Sequence, residues 1–336
     1  MNANASRWSG NRVGCNAQLA SSMKTCLIHA CRRGATRGPQ NSRRQIRTLP
    51  FRELLAEPGC LSVPAVYDAL SAKIAERVGF QAVGLGGFLV AASRLAGPDV
   101  GQLTLTEMVD HLRGVAGAVS VPVLADADTG YGNPLNVRRT VQAYEAAGAQ
   151  AIVLEDQVWP KKCGHFPGPR QVVPTAEHQK KLEAALEARR NPHTMIIART
   201  DARGPLGFDE AIRRAKAYVR TGAEGIFLEA LETPEEFRAA PRALSGVPLV
   251  ANMFTMGKSP LFTERELGAM GYKVGLWVVD ALWAAARAVE DVLRALLASG
   301  STRGVRDRLM ALDDYLALVG LADYEALERR YPEEAG

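Results

Sequence analysis

Short apolar runs recur along the chain, each following a helical segment that ends in glycine. The pattern occurs at residues 78–85, 147–154, 221–228 and 270–276. Glycine is expected just past a helix C-terminus, because it adopts the left-handed backbone conformation without strain. The apolar run behind it has the length of a buried strand. The repetition predicts a fold in which helices and strands alternate.

Eight segments have strand length: 62–66, 82–85, 121–125, 151–154, 195–198, 225–228, 249–251 and 274–278. Between them, segments such as 136–147, 177–190 and 209–220 carry apolar residues at a spacing of three or four, which predicts helices. Regular alternation predicts a parallel sheet, and eight units predict an α/β fold of the (β/α)8 TIM-barrel type. An open doubly wound sheet is the alternative. It would need a Gly-rich turn after its first strand, and residues 67–70 do not form one.

The chain divides into three predicted regions. Residues 1–47 are polar and lack hydrophobic periodicity, so we expect a disordered, basic N-terminal extension. Residues 48–300 form the predicted barrel, and residues 301–336 form a C-terminal helical segment that packs on the barrel or on a partner subunit. The acid-free extension is typical of a mitochondrial transit peptide, or of an upstream extension of the reading frame. We expect a cytoplasmic protein, with a mitochondrial location as the alternative.

The net charge of +5 comes from this extension. Residues 1–50 hold nine of the 41 Lys and Arg and none of the 36 Asp and Glu, which leaves the remainder at −4. The body is therefore mildly acidic, and nucleic-acid binding is not expected. No run reaches the length of apolar residues that spans a bilayer, so no membrane association is expected. The five cysteines follow no zinc spacing, and their odd number favours a reducing compartment over a disulfide scaffold.

Polar residues collect where the predicted strands end. They are Asp99, Asp126, Asp128, Glu155, Asp156, Arg199, Asp201, Glu229 and Asn252. The carboxyl ends of barrel strands share one face, which is the usual location of the active site. Any one of these acids could be an ordinary helix cap. Together they repel one another unless a cation lies among them, and oxygen ligands without a histidine cluster predict Mg²⁺ or Mn²⁺.

The loop after the fourth strand reads Lys161-Lys162-Cys163-Gly164-His165. A thiol among positive charges is expected to have a lowered pKa, which suits a reactive cysteine or a proton donor. Gly164 allows the loop to bend tightly over a ligand. The alternative is an exposed basic loop with an incidental cysteine.

This loop resembles the signature of the isocitrate lyase and phosphoenolpyruvate mutase superfamily, in particular its methylisocitrate lyase branch. The resemblance extends over roughly residues 54–289, through segments 126–133, 155–157, 198–202, 228–230 and 251–253. It implies a metal site at Asp99, Asp126, Asp128 and Glu155, largely through waters. It implies that Arg199 clamps a substrate carboxylate, that Asn252, His165, Lys161 and Gly164 contact substrate, that Glu229 lies near the reacting centre and that Cys163 is the general acid. Superfamily members typically swap their last barrel helix between subunits, which implies a homodimer or homotetramer.

The second strand departs from the branch pattern Tyr-x-Ser-Gly, since Gly84 and Gly86 replace its tyrosine and serine. Gly86 and Gly87 are still expected to offer backbone N–H groups to the substrate. Phe88, Phe166 and Met256 predict a more apolar pocket than isocitrate needs.

The resemblance implies a Mg²⁺-dependent lyase that cleaves a small branched 2-hydroxy di- or tricarboxylate, similar to 2-methylisocitrate or dimethylmalate, into a 2-oxo acid and a carboxylate. Oxaloacetate hydrolysis or decarboxylation and phosphonate chemistry are alternatives on the same scaffold. A non-catalytic paralogue is a third.

Overall fold

The computed structural model describes residues 49–332 and contains an eight-stranded parallel sheet. The strands are β1 (Leu61–Pro64), β2 (Val83–Leu85), β3 (Val123–Asp126), β4 (Ala149–Glu155), β5 (Met195–Thr200), β6 (Gly225–Leu228), β7 (Leu249–Met253) and β8 (Val274–Trp277). Their order is β1-β8-β7-β6-β5-β4-β3-β2. A parallel bridge between Ala65 and Gly84 joins the two ends. The nearly closed barrel confirms the predicted fold.

Helices surround this sheet. They are α1 (Phe51–Leu54), α2 (Ala69–Val78), α3 (Gly87–Leu95), α4 (Leu105–Ala118), α5 (Pro134–Ala147), α6 (Thr175–Ala188), α7 (Arg203–Leu206), α8 (Phe208–Thr221), α9 (Pro234–Ala243), α10 (Glu264–Met270), α11 (Asp280–Ser299), α12 (Leu312–Val319) and α13 (Leu321–Arg330), with a 3-10 helix at Arg303–Arg308. The predicted disordered extension, residues 1–47, lies outside the described residues. None of the helices in the described range is long and apolar enough to cross a membrane.

Local sequence explains where the helices begin and end. Asn133 caps the start of α5, and its side chain accepts hydrogen bonds from the N–H groups of Leu135 and Asn136. The next residue, Pro134, has a φ suited to the first helical position. Gly148 ends the helix at φ 103°, in the left-handed region expected from the recurring pattern.

Alternation along the strands separates two apolar clusters. Ala151 and Val153 of β4 point into the barrel interior, whereas Ile152 and Leu154 pack against the surrounding helices. Because successive side chains of a strand point to opposite faces, both faces of the parallel sheet are buried. This arrangement leaves the strand ends as the place where polar groups can gather.

Asp156, just after β4, is buried and has a structural role. Its carboxylate accepts hydrogen bonds from Thr200 (2.7 Å), the Asp201 backbone (2.9 Å), Arg214 (3.1 Å) and Tyr218 (2.8 Å). These contacts tie β4 to β5 and α8. Of the two acids that follow Leu154, only Glu155 is therefore available for the site.

Helix α11 is 20 residues long, and none of its residues is buried. Val289, Leu293, Leu296 and Leu297 are all exposed large apolar side chains on it. Apolar residues on this scale are uncommon on the free surface of a monomer.

His178 of α6 yields a prediction about pH. It is fully buried, its ring lies 4.7 Å from that of Tyr218, and neither ring nitrogen has a hydrogen-bond partner. Burial lowers the pKa of His178 from 6.5 to about 4. The folded state holds a neutral imidazole. The contribution of His178 to the free energy of unfolding is therefore complete above pH 6.5 and is lost as the pH falls toward 4.

We expect His178→Phe to remove this part of the pH dependence while it keeps the aromatic contact. Between pH 7 and pH 5, the wild type should lose about 2 kcal/mol more unfolding free energy than the variant, measured by urea denaturation. Equal losses in the two proteins would show that His178 is not held neutral by burial.

Candidate active site

The strand ends converge on a small closed cavity. Its wall includes Asp99, Asp126, Cys163, Arg199, Glu229 and Asn252, together with Gly86 from the end of β2. Seven separate segments of the chain supply these residues, most of them at strand ends, as the barrel topology predicts. The cavity has a volume of about 50 Å³. That space holds only a few water molecules, so a substrate can enter only when the loop carrying Cys163 moves away.

Lys161 lies inside the acid cluster. Its ammonium is 2.6 Å from Asp99 Oδ1 and 2.7 Å from Asp128 Oδ1, and all three side chains are buried. Burial raises the pKa of Asp128 to about 6, against the opposing effect of Lys161. The sequence predicted that Lys161 would face substrate and supply charge to Cys163. In the structure its ammonium instead forms ion pairs with two of the predicted metal ligands, Asp99 and Asp128.

Gly87 makes this ion pair possible. A Cβ at this position would lie 2.9 Å from Asp128 Oδ1 and 3.0 Å from Lys161 Nζ. Its N–H donates to Asp126 Oδ2 at 3.2 Å. The expectation that Gly87 offers this N–H to substrate is therefore wrong in this conformation, because a carboxylate already accepts it. Gly86 remains on the cavity wall.

Arg199 is the second cation of the site, and its side chain is 12% exposed. Its Nε and Nη2 donate to Asp201 at 2.8 and 3.0 Å, and Nη2 also lies 3.4 Å from Glu229 Oε2. Its Nε lies 3.2 Å from Glu155 Oε2. Two of its three nitrogens therefore face the protein's own acids, and within the described residues Nη1 donates no hydrogen bond to the protein. Nη1 is the atom best suited to a substrate carboxylate.

Glu229, His165 and Asn252 form a hydrogen-bonded group. Asn252 Nδ2 donates to Glu229 at 3.2 Å, and His165 Nε2 lies 3.2 Å from the same carboxylate. The backbone N–H of Lys258 donates to His165 Nδ1 at 3.1 Å, so the ring proton is on Nε2 and points at Glu229. Burial opposes ionisation of Glu229, but Arg199 and the two hydrogen-bond donors hold its pKa at about 2. Glu229 is therefore ionised and orients its neighbours.

The thiol of Cys163 is buried and protonated. Burial first, and the Glu229 carboxylate second, raise its pKa to about 12. The predicted lowering of this pKa is wrong, because Lys161 is paired with acids and Lys162 is exposed. A protonated thiol is nonetheless the form that a proton donor requires.

The loop from Gln157 to Val172 covers the cavity, and we call it the gate loop. Cys163 N donates to Asp99 O at 3.1 Å. Arg170 donates to the carbonyl groups of Cys163 and Gly164, and Lys258 donates to Gly164 O at 3.3 Å. A Cβ on Gly164 would collide with Glu229. Gly164 therefore matters for close approach as well as for bending, and Asp99 and Lys258 hold the middle of the loop against neighbouring segments.

The acids fit a hydrated divalent cation better than a directly coordinated one. Neither carboxylate oxygen of Glu155 accepts a hydrogen bond, although Arg199 Nε lies 3.2 Å from Oε2, so this buried carboxylate is only partly compensated. Burial raises the pKa of Glu155 well above its usual range. Across residues 49–332, no three His, Cys, Asp or Glu side chains are close enough to coordinate one ion. A cation here would be held by one or two carboxylates and by waters, as Mg²⁺ commonly is.

An aromatic wall faces the polar groups. Phe88 lies 5.9 Å from Phe166 and 5.6 Å from Phe254, and Phe254 stacks on His165 at 4.2 Å. The sequence predicted Phe88 and Phe166 but missed Phe254, whose position two residues after Asn252 was the available signal. Met256 was predicted to join this pocket and does not, since its side chain is 88% exposed.

Leu276 explains the missing tyrosine at the second strand. A Cβ on Gly84 would lie 2.7 Å from the Leu276 Cδ1 atom. The side chain from β8 therefore occupies the space into which a residue at position 84 would project. The sequence departure at Gly84 makes this side of the cavity apolar rather than empty.

The position of Lys161 leads to a prediction about the gate loop. Lys161→Met should remove the ion pairs that hold the loop down, so Cys163 should be alkylated by iodoacetamide at least tenfold faster. Breaking a buried ion pair typically costs about 3–5 kcal/mol, which is more than such a change in opening requires. The adjacent, exposed Lys162 provides the matched control, and Lys162→Met should leave the rate unchanged. Equal rates in both variants would contradict the role of Lys161 as a latch.

Known proteins support the resemblance that the loop suggested. The family model described as phosphoenolpyruvate phosphomutase matches residues 51–297. The 2,3-dimethylmalate lyase of Eubacterium barkeri is 43% identical over 281 residues, which is 84% of this chain and 96% of that protein. The 2-methylisocitrate lyase of Aeropyrum pernix is 42% identical over 287 residues, 85% of this chain and 92% of that protein.

Solved structures agree on the fold. An oxaloacetate acetylhydrolase in complex with 3,3-difluorooxaloacetate has a TM-score of 0.80 and 34% identity, and covers 85% of this chain and 97% of that one. A phosphonopyruvate hydrolase in complex with oxalate and Mg²⁺ has a TM-score of 0.76 and 34% identity, with 83% and 97% covered. The chain therefore belongs to the phosphoenolpyruvate phosphomutase family, within the isocitrate lyase superfamily.

Proposed function

We propose that this protein is a divalent-cation-dependent carbon–carbon lyase that acts on a small 2-hydroxy dicarboxylate or tricarboxylate bearing an apolar substituent. The observation that carries the proposal is a buried, protonated thiol at Cys163 that shares one small cavity with charged and aromatic side chains. These are Arg199, Asp99, Asp126, Glu229, Phe88 and Phe254. Cleavage of a carbon–carbon bond leaves an electron pair on carbon, and that carbon needs a proton. Water can serve a decarboxylation, but in a closed apolar cavity a positioned donor is needed.

Asp99, Asp126, Asp128 and Glu155 would hold the cation, largely through waters. Mg²⁺ is the proposed ion and Mn²⁺ the alternative, because all the ligands are hard oxygens. When bound, such a cation acts as a Lewis acid that stabilises negative charge on the substrate's hydroxyl or carbonyl oxygen. A solved relative that holds Mg²⁺ supports this choice.

The chain's own residues would bind and protonate the substrate. Arg199 Nη1 and the Gly86 backbone N–H would hold substrate carboxylates, and a guanidinium suits that task. Asn252, oriented by Glu229, would donate to another oxygen. The 2-hydroxyl group would give its proton to an ionised carboxylate of the site, such as Glu229, and its oxygen would become the carbonyl oxygen of the 2-oxo acid. As the C2–C3 bond breaks, its electron pair would pass to C3, and Cys163 would give C3 the thiol proton. The thiolate would then take up the proton from the carboxylate, which restores both groups.

The aromatic wall supports an apolar substituent on the substrate. Phe88, Phe166 and Phe254 offer no hydrogen bonds to a third carboxylate, and burying an unpaired carboxylate against them would be costly. A methyl group would instead gain from apolar contact, at about 0.8 kcal/mol per buried carbon. Two relatives are named as lyases of methyl-bearing acids, which agrees with this choice.

The test is a panel of 2,3-dimethylmalate, 2-methylisocitrate, isocitrate, oxaloacetate and phosphonopyruvate, assayed with Mg²⁺ and with EDTA. NMR of the products identifies which bond breaks. We expect one of the two methyl-bearing hydroxy acids to have the highest kcat/KM, EDTA to abolish turnover, and Mg²⁺ or Mn²⁺ to restore it.

Each alternative function predicts a different result in this panel. Oxaloacetate as the best substrate would make the protein a hydrolase or decarboxylase, and phosphonopyruvate would assign it phosphonate chemistry. Isocitrate ahead of both methylated acids would contradict the apolar pocket. Full turnover in EDTA would contradict the cation, and inactivity on all five acids would favour the non-catalytic alternative.

We also propose that the protein associates with copies of itself through α11. The exposed side chains Val289, Leu293, Leu296 and Leu297 of this helix need a partner surface, and a second copy supplies a matched one. Light scattering should give the mass of a dimer or tetramer, and Leu293→Arg combined with Leu297→Arg should shift the mass toward the monomer. A monomeric wild type at micromolar concentration would contradict the proposal.

A further inference from the structure

A second cavity, larger than the first, lies beside the barrel mouth. Its volume is about 910 Å³, and we call it the lateral cavity. The start of α4, the loop between β3 and α5, both stems of the gate loop and the first turns of α6 enclose it. It shares no lining residue with the active-site cavity. Its size falls in the range of small-molecule sites.

Lys181 gives the lateral cavity a buried positive charge. The side chain is nine-tenths buried on α6, and its ammonium donates one hydrogen bond, to the Thr129 carbonyl oxygen at 3.1 Å. Within the described residues no carboxylate lies within 4 Å of this ammonium, and Glu177 and Glu155 attract it from farther away. A buried ammonium without an acid partner is costly, and Lys161 of the active site, with two such partners, shows how this chain otherwise compensates one.

Arg139 adds a second cation on the same wall. Its guanidinium is exposed and forms no ion pair with the residues that the structure describes. Glu177 is the one carboxylate among the lining residues, and it is exposed. Helix α6 begins beside this wall with no side-chain cap, so its first N–H groups add to the positive character. The lining thus attracts anions.

Trp159 provides a planar apolar surface at the mouth of the lateral cavity. The indole is 43% exposed and meets the Tyr131 ring edge-on, with centroids 6.2 Å apart. A large aromatic side chain left partly open beside two cations is typical of sites that bind a ligand with one charged end and one flat end.

We propose that the lateral cavity binds a small organic anion, with its carboxylate or phosphate group at Lys181 and Arg139 and a flat ring against Trp159. This site is independent of the reaction proposed above. Its ligand is distinguished from a substrate by the ring, which the active-site cavity has no room to accept in its closed form.

Four probes test the proposal on the full-length protein by calorimetry: inorganic phosphate, phenyl phosphate, acetate and benzoate. The ring-bearing member of each pair should bind at least tenfold more tightly than the ringless member. Comparison between the pairs identifies the charged group, since tighter binding of phenyl phosphate indicates a phosphate ester and tighter binding of benzoate a carboxylic acid.

Substitutions of residues that line the lateral cavity test whether the probes bind there. Arg139→Ala and Trp159→Ala change exposed side chains, so both proteins should fold, and each should weaken the best probe at least fivefold. Lys181→Met should weaken it further. The matched control is Arg138→Ala, whose guanidinium pairs with Glu187 at 3.0 Å away from the cavity, and it should change nothing.

The same variants distinguish binding in the lateral cavity from binding in the active site, because none of the residues that line the lateral cavity also lines the active-site cavity. Absence of saturable binding for all four probes would overturn the proposal. So would binding that Arg139→Ala and Trp159→Ala both leave unchanged, because the probe would then occupy another site. Equal affinity of ring-bearing and ringless probes would refute the role of Trp159.

Discussion

Charge compensation inside the barrel mouth is the constraint on which the rest of the site depends. Five acids are buried there: Asp99, Asp128, Glu155, Asp201 and Glu229. Two cations, the buried Lys161 and the partly exposed Arg199, lie among them. Taking so many carboxylates out of water is unfavourable unless each meets a positive charge or a donor. The acids still outnumber the cations, and Glu155, whose oxygens accept no hydrogen bond although Arg199 lies 3.2 Å away, marks where further positive charge belongs.

The same constraint couples the acid cluster to the gate loop. One of the two cations, Lys161, is carried by that loop, so closing the loop neutralises part of the cluster and opening it exposes the carboxylates to water. Closure also buries Cys163 and keeps its thiol protonated. Substrate access, charge balance and the state of the proton donor are therefore set by one segment. A loop that only covered the cavity would not link these properties.

The sequence predicted the barrel and the face that carries the site, because both follow from periodicity and from the rule that parallel strands end on one side. It could not predict where the loop side chains point. Lys161 was expected beside Cys163, but its ammonium contacts Asp128 instead. A long side chain can reach residues that are distant in sequence, and the sequence does not show which of them lies within its reach. The direction of the Met256 side chain could not be predicted either, because a single apolar residue in a loop belongs to no periodic pattern that would show which way it points. Leu276, which fills the space above Gly84, comes from the strand most distant in sequence.

The central claim is that Cys163 protonates the carbon released by bond cleavage. Turnover of 2,3-dimethylmalate in D₂O, with NMR of the propionate formed, tests it most directly by comparing the wild type with Cys163→Ser. The account predicts one deuterium in a single configuration for the wild type. For the variant it predicts a rate lower by about 10²–10⁴-fold and loss of the single configuration, because a hydroxyl is a far poorer acid. Unchanged rate and configuration in Cys163→Ser would contradict the account.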